Sequence, residues 1–465
     1  MAEKLDIASG LIQVKRSIFV FFVLFFLPNI LFFVISSTFG IGRPLVNFDY
    51  IIVSLFFIFG LNWLGVAFLA LVYVFDVVFL VGQLFPFLRV SDLLYFVGLI
   101  GSSPSYYKVM FLVVLVQLFV FCAFFLRLKK RVPELAFINL ALILYVFNFS
   151  YFDDSESKYY RYSSERFFDS VLVFSFDHRR TGFLESFDLE SKPLVKASYK
   201  GATSPWFSSP MELSDKTILI VSESWGVSSD EIMDSVLSPI YELGDHIVSI
   251  ERGELGFSGA TVDGELRELC QLSSANFNFK DLVTGFEDCL PNRLRAMGYE
   301  TYSLHGAVGS MYDRAYWYPR AGFDHRTFYE TKQWSEKCHS FPGACDRELI
   351  SELTKVFSET EKAFFYWLTL NSHSIYDRRD IYKDVFDCES FQVKEDGQVC
   401  RNLKLHAQFF YYLSTILDDP ELEGAEVIIV GDHVPPIFDV NEKAKYFKND
   451  SVPWIRFKVA SPEKG

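Results

Sequence analysis

The sequence predicts an N-terminal α-helical membrane domain of five spans followed by an α/β domain with a mainly parallel sheet. Three observations predict it. Half of the 465 residues are apolar and 51 are phenylalanine, with the excess in the first third. From Lys216 on, short apolar runs alternate with helical patterning, as strands joined by crossover helices do. Three of those runs end in groups with chemistry. Residues 218–221 run into Ser222 and Glu223, 364–368 run towards Asn371, Ser372 and His373, and 427–430 run into Gly431, Asp432 and His433. Reactive groups of open α/β sheets sit just past the carboxyl ends of the strands. The predicted parts are a transmembrane domain over 1–151, an interfacial linker over 152–215 and an extracytoplasmic α/β domain over 216–465.

Residues 17–37 are apolar over about the 20 residues a bilayer requires. Lys15 and Arg16 precede them, which places the N-terminus in the cytoplasm. A cleavable signal peptide would have a shorter apolar core and a small-residue cleavage site after it, and none is evident. Residues 50–88 are too long for one comfortable span and read as two, with a turn near Gly60, Leu61, Asn62 and Trp63. Residues 110–126 and 135–149 supply the last two. Arg127, Lys129, Lys130 and Arg131 lie between these and belong on the cytoplasmic side, where five crossings put them and four would not. Asp76, a carboxylate inside a span, is either functional or an interfacial or helix-pairing group.

The linker mixes charges with Tyr159, Tyr160 and Tyr162, as a segment in the headgroup layer would; a solvated linker is the other reading. The formal charge of −14 argues against a nucleic-acid partner, which calls for a basic face. Cys122 lies in an apolar segment. The other six cysteines form near-neighbour pairs, Cys270 with Cys289, Cys338 with Cys345 and Cys388 with Cys400, which points to disulfides and an oxidising compartment. The run 452–456 reads as a final strand, with no further domain expected after it.

Glu223, Asp432 and His433 are oxygen and nitrogen donors suited to one divalent transition ion, zinc or manganese. Small residues around Thr261 precede a helical stretch, Glu265-Leu266-Arg267-Glu268-Leu269, so Thr261 falls near a helix N-terminus. Backbone N–H groups and the helix dipole favour a phosphate there. A cation touching the Thr261 hydroxyl would make it a nucleophile at neutral pH. Without the metal motif, Thr261 would read as an ordinary N-cap.

The order strand-Glu223, Gly259-x-Thr261, His305-Gly306, Ser372-His373 and Gly431-Asp432-His433 resembles the alkaline phosphatase superfamily. Within it, the chain is similar to membrane-bound phosphoethanolamine transferases and lipoteichoic acid synthases, whose five spans precede a sulfatase-like domain. The resemblance implies that Glu223, Thr261, Asp432 and His433 bind the metal and that Thr261 carries a covalent intermediate. It implies substrate contacts from His305, Tyr312, Arg314 and His373, with His373 also protonating the leaving oxygen. No further histidine follows His433, so one metal site is expected. The implied setting is a bacterial inner membrane, with a phospholipid donor and a surface glycan or lipid acceptor.

Two rival readings belong beside this one. Cys289-Leu290-Pro291-Asn292-Arg293 matches the C-x-P-x-R pattern that sulfatases convert to formylglycine, which would make the chain a hydrolase. Its Leu-Pro, Gly-Tyr and His-Gly context instead belongs downstream of the superfamily's nucleophile. The other rival is an inactive membrane-anchored scaffold, which need hold no ion.

Overall fold

The computed structural model describes residues 2–39, 43–84, 105–127, 168–180, 193–208, 213–257, 259–341, 343–374, 376–437 and 439–461. The chain divides into two compact units, Met1–Glu185 and Ser186–Gly465.

In the first unit the apolar stretches are helical: α1 (Ala2–Phe39), α2 (Asp49–Ile58), α3 (Asn62–Leu84) and α4 (Ser105–Leu126), followed by α5 (Val171–Arg180). Two short strands, β1 (Val46–Asn47) and β2 (Phe168–Asp169), pair in parallel. The break between α2 and α3 falls at Gly60, φ +78°, where the sequence predicts a turn. Its first arm, α2, has 10 residues. At 1.5 Å per residue such a helix covers only about half of a ~30 Å hydrocarbon core. Among the described residues, two stretches are long and apolar enough to cross a membrane, Asn62–Val81 and Lys108–Leu126; Phe22–Ser37 is apolar but shorter. The predicted span 135–149, the basic loop from Lys129 to Arg131 and the tyrosines of the linker lie outside the described residues.

The second unit begins with β3 (Leu194–Lys196) and continues with β4 (Lys216–Ser222), β5 (Ile247–Gly256), β6 (Leu272–Ser274), β7 (Glu300–His305), β8 (His325–Thr327), β9 (Ala363–Leu368), β10 (Glu426–Gly431) and β11 (Ser451–Val459). β3 pairs antiparallel with β6, so the stretch from Leu194 is already part of this fold. The other seven form one sheet in the order β5-β11-β10-β4-β9-β7-β8. From β10 to β8 neighbours are parallel, and β11 and β5 add an antiparallel edge. β9 and β10 are buried along their whole length and β4 at every position after Lys216. That is why they read as unbroken apolar runs rather than alternating ones. Among the helices are α6 (Asp230–Tyr241), α7 (Thr261–Cys270), α8 (Leu290–Ala296), α9 (Arg314–Ala321) and α10 (Gln398–Leu417). Ser229 caps α6, its side chain accepting from the Ile232 amide, and Asp230 and Glu231 sit in the first turn, where the dipole favours anions.

Two of the three expected disulfides are present, Cys270–Cys289 and Cys388–Cys400. The third is a correction. Cys338 and Cys345 are both buried and unbonded. They flank a tight hairpin bridged at Lys337 and Ala344, and their sulfurs lie within 4.8 Å of each other without a bond between them. Cys338 Sγ donates to Asn371 Oδ1 at 3.3 Å, and Cys345 Sγ lies 3.7 Å from the Tyr382 hydroxyl.

Asp76 proves to be a helix-pairing group. Its carboxylate, fully buried in α3, accepts from Arg43 Nε at 2.9 Å and Nη2 at 2.8 Å, from the Tyr50 hydroxyl at 2.9 Å and from Asn47 Nδ2 at 3.2 Å. Arg43 Nη2 also reaches Asn29 Oδ1 of α1 at 3.0 Å. One satisfied ion pair thus ties α1, α2, α3 and the connection before α2. Removing one partner strands a buried charge, which costs about 3–5 kcal/mol. Arg43→Ala should therefore lower the unfolding free energy of the detergent-purified protein by that amount, and Arg43→Ala/Asp76→Ala by less than the two single losses combined. Equal stability of Arg43→Ala and the parent in denaturant titration would refute this role for the pair.

Candidate active site

The register of the sheet brings the three chemical strand ends level. Ser222 pairs with Gly431 and Val221 with both Val430 and Leu368, so Glu223, Thr369 and Asp432 leave the sheet at the same edge. The chain past each strand is then stitched to its neighbour. The Asp432 amide donates to Ser222 O at 3.1 Å, the Thr369 amide to Val221 O at 3.0 Å, and the Glu223 amide to Thr369 Oγ1 at 2.9 Å. Ser372 Oγ donates to Glu223 O at 2.6 Å.

Thr261 arrives from a separate element. It is the first residue of α7, and Asp263 fixes that helix start. Its carboxylate accepts from the Ala260 amide at 3.1 Å and, on its other oxygen, from the Ser274 amide and hydroxyl at 2.8 and 2.6 Å. The helix packs backbone to backbone on the loop after β10. A Cβ at Gly264 would lie 2.8 Å from Asp432 O, so no larger residue fits without moving that loop. Arg267 Nη2 donates to Gly431 O at 2.8 Å, immediately before Asp432.

The outcome is one small cluster. One donor atom from each of Glu223, Asp432 and His433 lies within 4.8 Å of the others. Thr261 Oγ1 is 3.2 Å from Glu223 Oε2 and 3.3 Å from His433 Nε2. His433 Nε2 lies 3.4 Å from Glu223 Oε1 and 3.4 Å from Asp432 Oδ2. The other nitrogen of that ring, Nδ1, donates to Val434 O at 3.0 Å, which turns Nε2 to the cluster. Asp432 Oδ1 accepts from the Ser224 and His433 amides at 2.7 and 2.5 Å, whereas buried Asp432 Oδ2 has no hydrogen-bond donor.

The electrostatics follow from crowding. Burial drives the Asp432 carboxyl well above its ordinary range and the Glu223 charge adds to the shift. Burial opposes the Glu223 charge too, but the His433 hydrogen bond and the charges of His373 and His433 hold it below the usual carboxylate range. Burial likewise opposes a charge on His433, yet Asp432 and Glu223 draw it up to about 10. The same field attracts any cation. A carboxylate oxygen that no amide or hydroxyl caps, a second carboxylate, an imidazole nitrogen and a hydroxyl at one point fit a divalent ion.

The remaining candidate residues stand around this cluster. His373 follows β9, its Nδ1 donating to Ser374 O at 2.5 Å and its ring 4.5 Å from that of Phe341. His305 ends β7; burial, then the Arg314 charge, lower it to about 3, and its Nδ1 donates to Leu368 O at 3.0 Å. Tyr312 and Asp313 take left-handed backbone, φ +51° and +54°, in the turn before α9. The Tyr312 ring lies over the Arg314 guanidinium at 5.1 Å and against Phe277 at 5.4 Å. Arg314 is 2% exposed, with Nε and Nη2 both on the Glu265 carboxylate, at 2.9 and 2.6 Å to Oε2. The guanidinium is thus committed to α7, one turn after Thr261. Sequence reasoning missed Gly264, Arg267, Asp263 and Ser224, which belong to no motif. The one available hint was the run of charges Glu265, Arg267 and Glu268 on so short a helix; all three are buried.

No curated protein sequence matches the chain. Solved structures similar to it include the lipoteichoic acid synthase LtaP from Listeria monocytogenes, with 15% identity, 56% of this chain and 69% of that one covered, and a TM-score of 0.43. The phosphoglycerol transferase GacH of Streptococcus pyogenes, in complex with sn-glycerol-1-phosphate, has 15% identity, coverage of 55% and 71%, and a TM-score of 0.37. The C-terminal periplasmic domain of EptC from Escherichia coli, in complex with Zn, has 11% identity, coverage of 58% and 77%, and a TM-score of 0.35. The family model described as Sulfatase matches residues 217–459, more than half of the 465. The α/β unit built around β4, β9 and β10 is that domain, and the chain belongs to the sulfatase family.

Proposed function

We propose that the chain is a metal-dependent transferase that moves phosphoethanolamine or phosphoglycerol from a phospholipid to a hydroxyl of a surface glycan or lipid. A covalent intermediate forms on Thr261. The observation that carries this reading is the position of one hydroxyl: Thr261 Oγ1 lies within hydrogen-bond distance of both Glu223 and His433. A helix-start hydroxyl touching a carboxylate and an imidazole has the arrangement of an activated nucleophile.

Glu223, Thr261, Asp432 and His433 would hold one zinc or manganese ion. Bound there, the ion would favour loss of the Thr261 proton and offset charge on the phosphoryl oxygens. The chain's own residues do the remainder. The N-terminal end of α7 favours the anionic phosphoryl group. Thr261 Oγ, its proton released to water, forms a bond to phosphorus while the bond to the diacylglycerol oxygen breaks. His373, its Nδ1 fixed on Ser374 O, gives that oxygen a proton from Nε2. In the second half the acceptor hydroxyl returns a proton to His373 as its oxygen bonds phosphorus, and Thr261 leaves and regains its proton. Arg314 braces α7 through Glu265, while Tyr312 and His305 would contact the substrate. A phospholipid donor suits a chain with stretches able to cross a bilayer, and the disulfides suit an outer domain beyond the cytoplasm of a bacterial inner membrane.

The formylglycine reading has a physical obstacle. Cys289 is 1% exposed and bonded to Cys270, so its sulfur is not available for conversion. A scaffold, for its part, has no need of two buried carboxylates crowded against one imidazole and one hydroxyl.

Thr261→Ala should lose roughly 10⁴-fold or more in turnover with its melting temperature preserved, as removal of a nucleophile does; activity within tenfold of the parent would reject the intermediate. After incubation with headgroup-labelled phospholipid, the peptide holding Thr261 should gain the mass of the transferred group, and that mass identifies the headgroup. Chelation should abolish transfer, with zinc or manganese restoring it to the parent and not to Asp432→Asn; full activity in chelator would overturn the metal requirement.

A further inference from the structure

Ser224 follows Glu223 directly and is fully buried, yet its backbone is left-handed, φ +56°. A serine held there stores about 1–3 kcal/mol of strain and persists only where its surroundings over-determine it. Here they do. Asn402 Nδ2 and His406 Nε2, one turn apart on α10, both donate to the Ser224 carbonyl, at 3.0 and 3.1 Å. His406 Nδ1 lies 3.4 Å from the Ser222 hydroxyl, which supplies its proton and so keeps the tautomer with hydrogen on Nε2.

The strained residue meets both carboxylates of the cluster. Its amide donates to Asp432 Oδ1 at 2.7 Å and its hydroxyl to Glu223 Oε1 at 3.0 Å. One oxygen of each carboxylate is thereby occupied. The other two are turned to the cluster, Glu223 Oε2 to Thr261 and Asp432 Oδ2 to His433, while Glu223 Oε1, held by the Ser224 hydroxyl, lies 3.4 Å from His433 Nε2. We infer that Ser224, locked by Asn402 and His406, is a positioning residue that selects which oxygen of Glu223 and of Asp432 the cation meets, and so sets the affinity of the site. This rests on the metal reading proposed above.

A structural role and a positioning role separate at one substitution. Ser224→Gly relieves the left-handed strain while deleting the hydroxyl and loosening the amide. The full-length protein, stripped with chelator, is titrated with zinc and with manganese against a chromophoric competitor, and its metal-free melting temperature is recorded. Ser224→Gly should bind either ion about 10–100-fold more weakly, the usual effect of losing an outer-shell partner, with a melting temperature equal to or above the parent's. His406→Gln, which keeps an N–H donor, should stay within about threefold of the parent, and His406→Leu should fall with Ser224→Gly. Parent-like affinity in both Ser224→Gly and His406→Leu would overturn the inference and leave the metal site standing. A parent protein that binds neither ion would overturn the metal reading and the inference with it.

Discussion

Two carboxylates share one dry corner, and the rest of the site is arranged around that fact. Glu223 is 3% exposed and Asp432 not exposed at all, with donor atoms of the two within 4.8 Å. At an effective dielectric near 20, unit charges at that separation repel by about 3–4 kcal/mol. The conflict ends when a proton or a cation enters. A proton on Asp432 would end it, but would occupy the oxygen that faces His433. His433, drawn up by the same pair, shows how strongly positive charge is favoured there. Such a corner is costly as architecture and useful as a ligand set.

Parallel pairing makes the convergence possible. Adjacent parallel strands end at the same edge, so a register of Ser222 on Gly431 sets two carboxylates side by side, and the bend at Ser224 holds both. What the sheet cannot supply is the hydroxyl, which comes on α7 from outside it. That helix is therefore seated by close contact, through Gly264 on Asp432 and Arg267 on the carbonyl before it. Sheet and helix are fixed to each other at the ligand loop itself.

The strands and the three strand-end residues of the cluster, Glu223, Asp432 and His433, were legible because both follow from local pattern. An unbroken apolar run means a strand buried on both faces, and the residue after it must lie at the sheet edge. Cysteine pairing was legible for Cys270 with Cys289 and Cys388 with Cys400, where near neighbours do bond. Spacing brings Cys338 and Cys345 together as well, their sulfurs within 4.8 Å, but nearness is not a bond, and Cys338 Sγ donates to Asn371 Oδ1. The role of Arg314 was obscured for a similar reason. An arginine near a phosphate site suggests a clamp, but its partner, Glu265, lies 49 residues away and appeared only as part of a helical run. The sharp bend at Ser224 left no trace either, since serine is not a residue that announces a left-handed backbone.

The helix bearing Thr261 is the last piece. In 10 residues it buries Glu265, Arg267 and Glu268; Arg267 Nε pairs with Glu268 Oε1 at 2.6 Å, and all three also reach partners outside the helix. Glu265 accepts from Arg314, Tyr318 and Tyr366; Arg267 donates to Gly431 O; and Glu268 accepts from the Ala202 and Thr203 amides at 3.2 and 2.9 Å. Buried ion pairs are a poor route to stability, because desolvation offsets most of their attraction and apolar side chains of equal volume would serve as well. They do, however, fix direction, which apolar contact does not. A hydroxyl that must meet phosphorus in line loses about a hundredfold in rate for a shift near 1 Å. Three charged anchors on three different partners leave α7 no low-energy way to slide or turn, and that restriction is what a nucleophile carried on a helix outside the sheet requires.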